Sequence, residues 1–194
     1  FKQCVVNVLS ERDPKFDLPS EERYASSILG KILKHSLELR KGMAESLALL
    51  GNKPGDLTDC SQDKAETIAV LGVRDNFRKA DWVLWGSLNN FLPILVEAAP
   101  NEFLNAIENG LQQTSFPFDE LFSQEGHGIT GGNYLIGLLW ALETLAWDEK
   151  FLVRVCVILG ELVAHDPAGN ALIRRSIHIQ RFFFRGLRNH CIYR

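Results

Sequence analysis

A chain of 194 residues with 46% hydrophobic and 23% charged side chains has a globular composition, enough for one domain with a real core and unlike a disordered chain. The formal charge of −3 averages two unlike parts. Six of the 21 basic side chains and none of the 24 acidic ones fall in residues 171–194, leaving the body near −9 and the tail near +6.

Helical periodicity dominates the chain. In residues 36–50 the apolar positions Leu39, Met43, Leu47 and Leu50 recur at spacings of three and four, and Gly51 follows where a left-handed C-cap is favoured. Lys53-Pro54-Gly55-Asp56 reads as a turn, and Ser61 as the cap of a helix running to about Leu71. A further helix is expected over residues 74–88, carrying Phe77, Trp82 and Trp85. A short apolar one is expected over 91–99, closed by Pro100. Over 101–111 a helix restarts with Phe103, Leu104 and Ile107 on one face. Residues 115–123 form a short helix entered through Pro117, and residues 125–133, with four glycines, form a loop. Residues 134–147 and 151–165 are helices apolar on most sides, separated by a turn at 148–150. Helices of that kind are buried between neighbours. No convincing strand alternation is present.

A weak echo runs along the chain. Apolar helix ends are followed by two polar or small residues and then Pro14, Pro100 or Pro167. Proline ends one helix and fits the first turn of the next, so the device makes a sharp corner between antiparallel helices. The expected fold is all-α: irregular antiparallel helix pairs in an α-solenoid of the HEAT or armadillo kind, with an irregular helical bundle as the alternative.

Cys4, Cys60, Cys156 and Cys191 form no C-x-x-C pair and suit neither a zinc knuckle nor a disulfide framework. They read as reduced thiols of a cytoplasmic protein. The longest apolar stretch, near residues 151–163, is broken by Arg154 and Glu161, so no membrane span is expected. Phe1 stands where an initiator Met would, which suggests a piece cut from something longer.

Little points to chemistry. Trp82 and Trp85 lie three apart and Trp140 and Trp147 seven apart, each pair on one helix face. Such pairs stack on bases or anchor a partner, but the same spacing is what core packing requires, and core is the reading adopted. The glycine-rich residues 126–132 lack a preceding strand and a G-K-[ST], so they read as a surface loop and not a phosphate cradle. No histidine pair has metal-ligand spacing, and no metal or other cofactor is expected. Glu143, inside an apolar segment, is the one carboxylate placed to have a raised pKa, with Arg154 on the next helix as its expected partner. Glu21-Glu22-Arg23 and Arg40-Lys41 read as solvated helix faces. The chain is accordingly not expected to be an enzyme. A basic tail can be a nucleic-acid arm, and in that alternative Arg174, Arg175, Arg181, Arg185 and Arg188 carry the contacts.

Four elements carry a resemblance. They are Asp-Pro-Lys-Phe-Asp-Leu-Pro at 13–19 with Glu-Arg-Tyr-Ala at 22–25, Leu-Glu-Leu-Arg-Lys-Gly-Met-Ala-Glu-Ser-Leu at 37–47, Leu-Pro-Ile-Leu-Val-Glu-Ala-Ala-Pro-Asn-Glu-Phe-Leu at 92–104, and Gly-Leu-Leu-Trp-Ala-Leu-Glu-Thr-Leu-Ala-Trp at 137–147. Together they resemble an internal segment of very long, mostly uncharacterised bacterial proteins whose plan is similar to the STAND-type NTPases of antiphage defence. The resemblance spans about residues 5–170 and implies a helical region joined to an effector or nucleotide-binding region elsewhere. The matching motifs are packing motifs, so no catalytic residue follows from it. After Asn170 the chain departs from that pattern, where the family continues with Ala-Asn-Arg-Pro-x-Asn-Ser and Ile-Phe-Leu-Pro-Trp. A one-base shift of permitted codons restores similar elements, so residues 171–194 are expected to be a frameshift product. The division is a helical-repeat domain over 1–170 and a basic tail over 171–194. The expected role is a non-catalytic scaffold or recognition segment whose partners are neighbouring helical repeats or domains of the parent chain, or a protein.

Overall fold

The computed structural model describes residues 1–57, 61–113, 116–123 and 134–165, and these are all-α, with no strand among them. The helices are α1 (Lys2–Leu9), α2 (Leu37–Asn52), α3 (Gln62–Phe77), α4 (Trp82–Ser87), α5 (Leu92–Ala98), α6 (Pro100–Leu111), α7 (Pro117–Ser123), α8 (Ile136–Ala146) and α9 (Glu149–Ala164). Short 3-10 turns occupy Pro14–Asp17, Ser20–Ala25, Pro54–Asp56 and Asn89–Phe91.

Local chemistry accounts for the helix starts. The Ser36 hydroxyl accepts the Leu39 N–H at 3.2 Å, the Asp81 carboxylate the Leu84 N–H at 3.1 Å, and the Asp148 carboxylate the Lys150 N–H at 3.1 Å. Each satisfies an N–H that the first turn leaves without an intrahelical acceptor, worth about 1 kcal/mol. Pro100 is the first residue of α6, and only Ala99, at φ −155° and ψ 81°, separates it from α5. The proline corner therefore operates at α5–α6. The equivalent at Pro167 lies outside the described residues.

Two glycines do something other than end helices. Gly72 lies within α3, which runs on to Phe77 where a break after Leu71 was expected. A Cβ there would lie 2.9 Å from Leu47 Cδ1, so the glycine makes room for a neighbour. Gly51 is inside α2 and is not a left-handed cap. A Cβ on it would lie 1.8 Å from the Ala98 carbonyl oxygen. The inward stripe of α2 is Arg40, Ala44 and Leu47, with Ala48 beside it, one position away from the stripe begun at Leu39. Small residues face inward because α2 lies close against α5.

The packing follows a plan of two rows. Helices α2, α5 and α8 lie side by side in one, and α3, α6 and α9 in the other; contacts within α2–α3, α5–α6 and α8–α9 join them. α1 packs on α2 and α3, while α4 and α7, the connecting helices, pack on each other. Trp85 anchors the interior: its ring stacks on Phe77 at 4.5 Å and meets Phe103 at 5.9 Å and Phe118 at 5.2 Å, tying α4 to α3, α6 and α7. Phe16 fastens the segment after α1 in the same way, edge-on to Trp82 at 5.4 Å and Tyr134 at 4.9 Å.

Candidate functional site

The residues singled out for nucleic-acid contact, Arg174, Arg175, Arg181, Arg185 and Arg188, lie outside the described residues, as do the glycine-rich residues 126–132. Glu143 is only half-buried on α8, and Arg154 does not pair with it. Arg154 instead closes a fork on Glu108 of α6, with Nε to Oε1 and Nη2 to Oε2 both at 2.9 Å. Its guanidinium also donates to Asn101 at 3.2 Å and to Asn105 at 2.9 Å. It pins α9 to α6 and leaves Glu143 without the arginine partner expected for it. Among the described residues no group of three His, Cys, Asp or Glu side chains could hold a metal ion, and no helix is long and apolar enough to cross a membrane. Cys4 and Cys156 are free thiols.

The tryptophan pairs divide. Trp85 is core and Trp82 is packed against it in part, but Trp140 and Trp147 are 56% and 63% exposed, on the side of α8 opposite Leu138, Leu142 and Leu145. Core was the wrong reading for the second pair. On α9, Phe151, Val155, Ile158 and Leu162 face inward, whereas Val153, Val157, Gly160 and Ala164 form a second stripe at the same spacing, two residues on, in solvent. At 100° per residue the two stripes lie on opposite sides of the helix. Sequence patterning registered this helix as apolar all round, and among the described residues its outer stripe is exposed.

Sequence reading missed a buried arginine site. Arg40, taken as part of a solvated face, is 1% exposed, and Arg23 is buried too. The Arg40 Nη2 donates to the carbonyls of Glu11 at 3.2 Å and Ser87 at 3.3 Å, and its guanidinium lies 5.4 Å from the Phe91 ring centre. Its buried Nε has no hydrogen-bond partner. Burial pulls the guanidinium below its ordinary pKa, and the charges of Glu11 and Asp13 act the other way. Beside it lies a cavity of about 260 Å³, lined by polar groups from separate elements, among them Asp13, Lys15, Ser87, Asn90 and Tyr134. Lys15 Nζ pairs with Asp13 Oδ2 at 3.0 Å, and the Asp13 N–H donates to Ser87 Oγ at 2.7 Å.

Glu11 organises the neighbouring loop. It accepts the Lys34 N–H, the His35 N–H at 3.0 Å, and a contact from His35 Nδ1 at 2.7 Å. Burial pushes its carboxyl up, but the Lys34 and His35 hydrogen bonds and the His35 charge together hold it below the usual value. The only sequence signal for any of this was the odd charge within an apolar helix face, which a surface reading absorbs without conflict. No protein-family description, curated protein or solved structure matches the chain.

Proposed function

We propose that the chain is a non-catalytic scaffold segment of a larger bacterial protein, built as an α-solenoid in which each helix pair covers the one before it. The observation that carries this reading is the outer face of α8 and α9. Each earlier pair in the two rows has its far side covered by the next, α2–α3 by α5–α6 and α5–α6 by α8–α9. The last described pair presents Trp140, Val153 and Val157 to solvent. A face of that composition is what an internal repeat offers its successor, and the occupant we assign to it is a further helix pair of the same kind. The resemblance to STAND-type defence proteins is the family-level form of this proposal.

Sedimentation velocity and binding of a hydrophobic dye test it. The chain should bind dye and self-associate through the bare face. A Val153→Glu/Val157→Glu variant should lose both, with its helical circular dichroism and melting temperature unchanged. A monodisperse, dye-silent parent chain would sink the reading. Melting should also be indifferent to ATP with magnesium; a rise of several degrees would put a nucleotide site in place of the scaffold. The arginine-rich composition of residues 171–194 supports a second reading, a nucleic-acid arm, which predicts binding that weakens steeply with salt and disappears in a chain ending at Asn170.

A further inference from the structure

We infer that the groove between α3 and α6 holds an extended peptide segment with two carboxylates on either side of a small residue. A cavity of about 270 Å³ lies there, with Arg74 and Arg78 on one wall and Asn105, Asn109 and Gln113 on the other. Its floor is made by Ala80, Ala106 and Gly110 beside the buried Trp85. The polar groups of both walls are available. Arg74 and Arg78 are exposed and form no ion pair among the described residues. Asp75, next to Arg74 in sequence, is taken by Lys2 at 2.8 Å. The Asn105 Oδ1 accepts from Arg154 of α9 at 2.9 Å, which leaves its amide nitrogen as a donor for the groove it lines. The Asn109 and Gln113 side chains make no hydrogen bond among the described residues. In a body whose net charge is near −9, two cations that nothing neutralises mark a local preference for acid.

Spacing selects the class of ligand. Residues four apart on a helix recur at about 6 Å along its axis. Asn105 and Asn109 have that interval on α6, and Gln113 continues it just past the helix end, where its N–H bonds the Gly110 carbonyl at 3.3 Å. The main-chain groups on one edge of an extended chain recur every second residue, at about 6.8 Å. Each carboxamide has both donors and an acceptor, so this wall can pair with that edge. The side chains of such a chain point alternately down and up. Those pointing down meet Ala106 and Gly110, where a small one fits. Those pointing up come within reach of Arg74 and Arg78, whose interval in the last turn of α3 is the same, and a carboxylate on each completes a charge-assisted bond. Glu102 lies a turn before Asn105 and disfavours a third acid. The lining includes no residue of α8 or α9, so the inference goes beyond the scaffold reading and does not rest on it.

Fluorescence anisotropy of the full chain with dye-labelled, C-terminally amidated pentapeptides at fixed ionic strength tests it. Ser-Glu-Ala-Glu-Ser should bind saturably at submillimolar concentration. Ser-Gln-Ala-Gln-Ser should bind at least tenfold more weakly. Ser-Glu-Glu-Ala-Ser, equal in charge but with adjacent acids, should bind at least threefold more weakly. Arg74→Gln/Arg78→Gln should weaken binding of the first peptide about tenfold, and Asn109→Ala/Gln113→Ala about fivefold. All four side chains are exposed, so neither double variant should lose helical circular dichroism or melting temperature. The proposal is overturned by absence of saturable binding, by equal binding of the adjacent-acid peptide, or by tighter binding of a five-nucleotide oligothymidylate. It is overturned equally if either double variant leaves binding intact, as attachment to the basic residues 171–194 would.

Discussion

Trp85 is enclosed by Phe77, Phe103 and Phe118, while Trp140 and Trp147 are more than half exposed at the last described helix of their row. The two regions use the same residue type at similar helical spacing. What separates them is whether another helix occupies the far side, a property of the stack and not of the helix itself. α9 repeats the lesson within sixteen residues, with one apolar stripe sealed and its opposite bare.

The sharpest way to break this comparison is to truncate both kinds of tryptophan. Trp85→Ala should cost about 3–5 kcal/mol in urea unfolding, whereas Trp140→Ala should stay within about 0.5 kcal/mol. Equal losses would mean that the outer face is already covered. Gly137→Ala tests the close approach on which the buried side depends. A Cβ there would lie 1.7 Å from the Asn89 carbonyl oxygen, and the helix must move away, at about 1–3 kcal/mol by the same assay.

Charge effects are smaller. Glu11 has a depressed pKa in the folded chain, so its contribution is complete above the carboxylate value of the unfolded chain and is lost as pH falls through the folded one. Glu11→Gln should therefore be less stable than the parent near neutrality, with the gap closing below about pH 4, where unfolded glutamates protonate. Thermal melts across pH 3–7 would show a constant gap if the carboxylate charge is irrelevant. Arg154→Ala should also be mild. The Arg154–Glu108 pair is about one-third exposed, so screening limits the loss to about 0.5–1 kcal/mol, reduced further by salt.

The sequence disclosed what depends on neighbours along the chain. The Pro100 corner and the start of α3 after Ser61 act within one or two turns and stand where they were expected, although the Ser61 side chain makes no cap bond. It misplaced what depends on neighbours in space. Gly51 and Gly72 are written like helix ends but serve close approach, and a glycine alone does not reveal which. Arg40 was assigned to water because it adjoins Lys41; with Ala44 and Ala48 rather than leucines on the inward face, the buried stripe of α2 was hidden. Arg154 lies near Glu143 in sequence, yet α6 packs against α9 and offers Glu108 first. Trp140 and Trp147 were misjudged because a pattern shows that a face is apolar, not that anything covers it.

The two close approaches have a mechanical consequence. At one end of α5 the main chain of Ala98 meets α2 at Gly51, and in the turn that leads into α5 the main chain of Asn89 meets α8 at Gly137, whose N–H donates to Asn89 Oδ1 at 2.8 Å. Backbone bears on backbone at both places, and at Gly137 the Asn89 side chain adds its hydrogen bond to the contact. A pull applied to α8 is therefore handed through α5 to α2 with little compliance, and this row acts as the stiff spine on which the α3–α6–α9 row is hung.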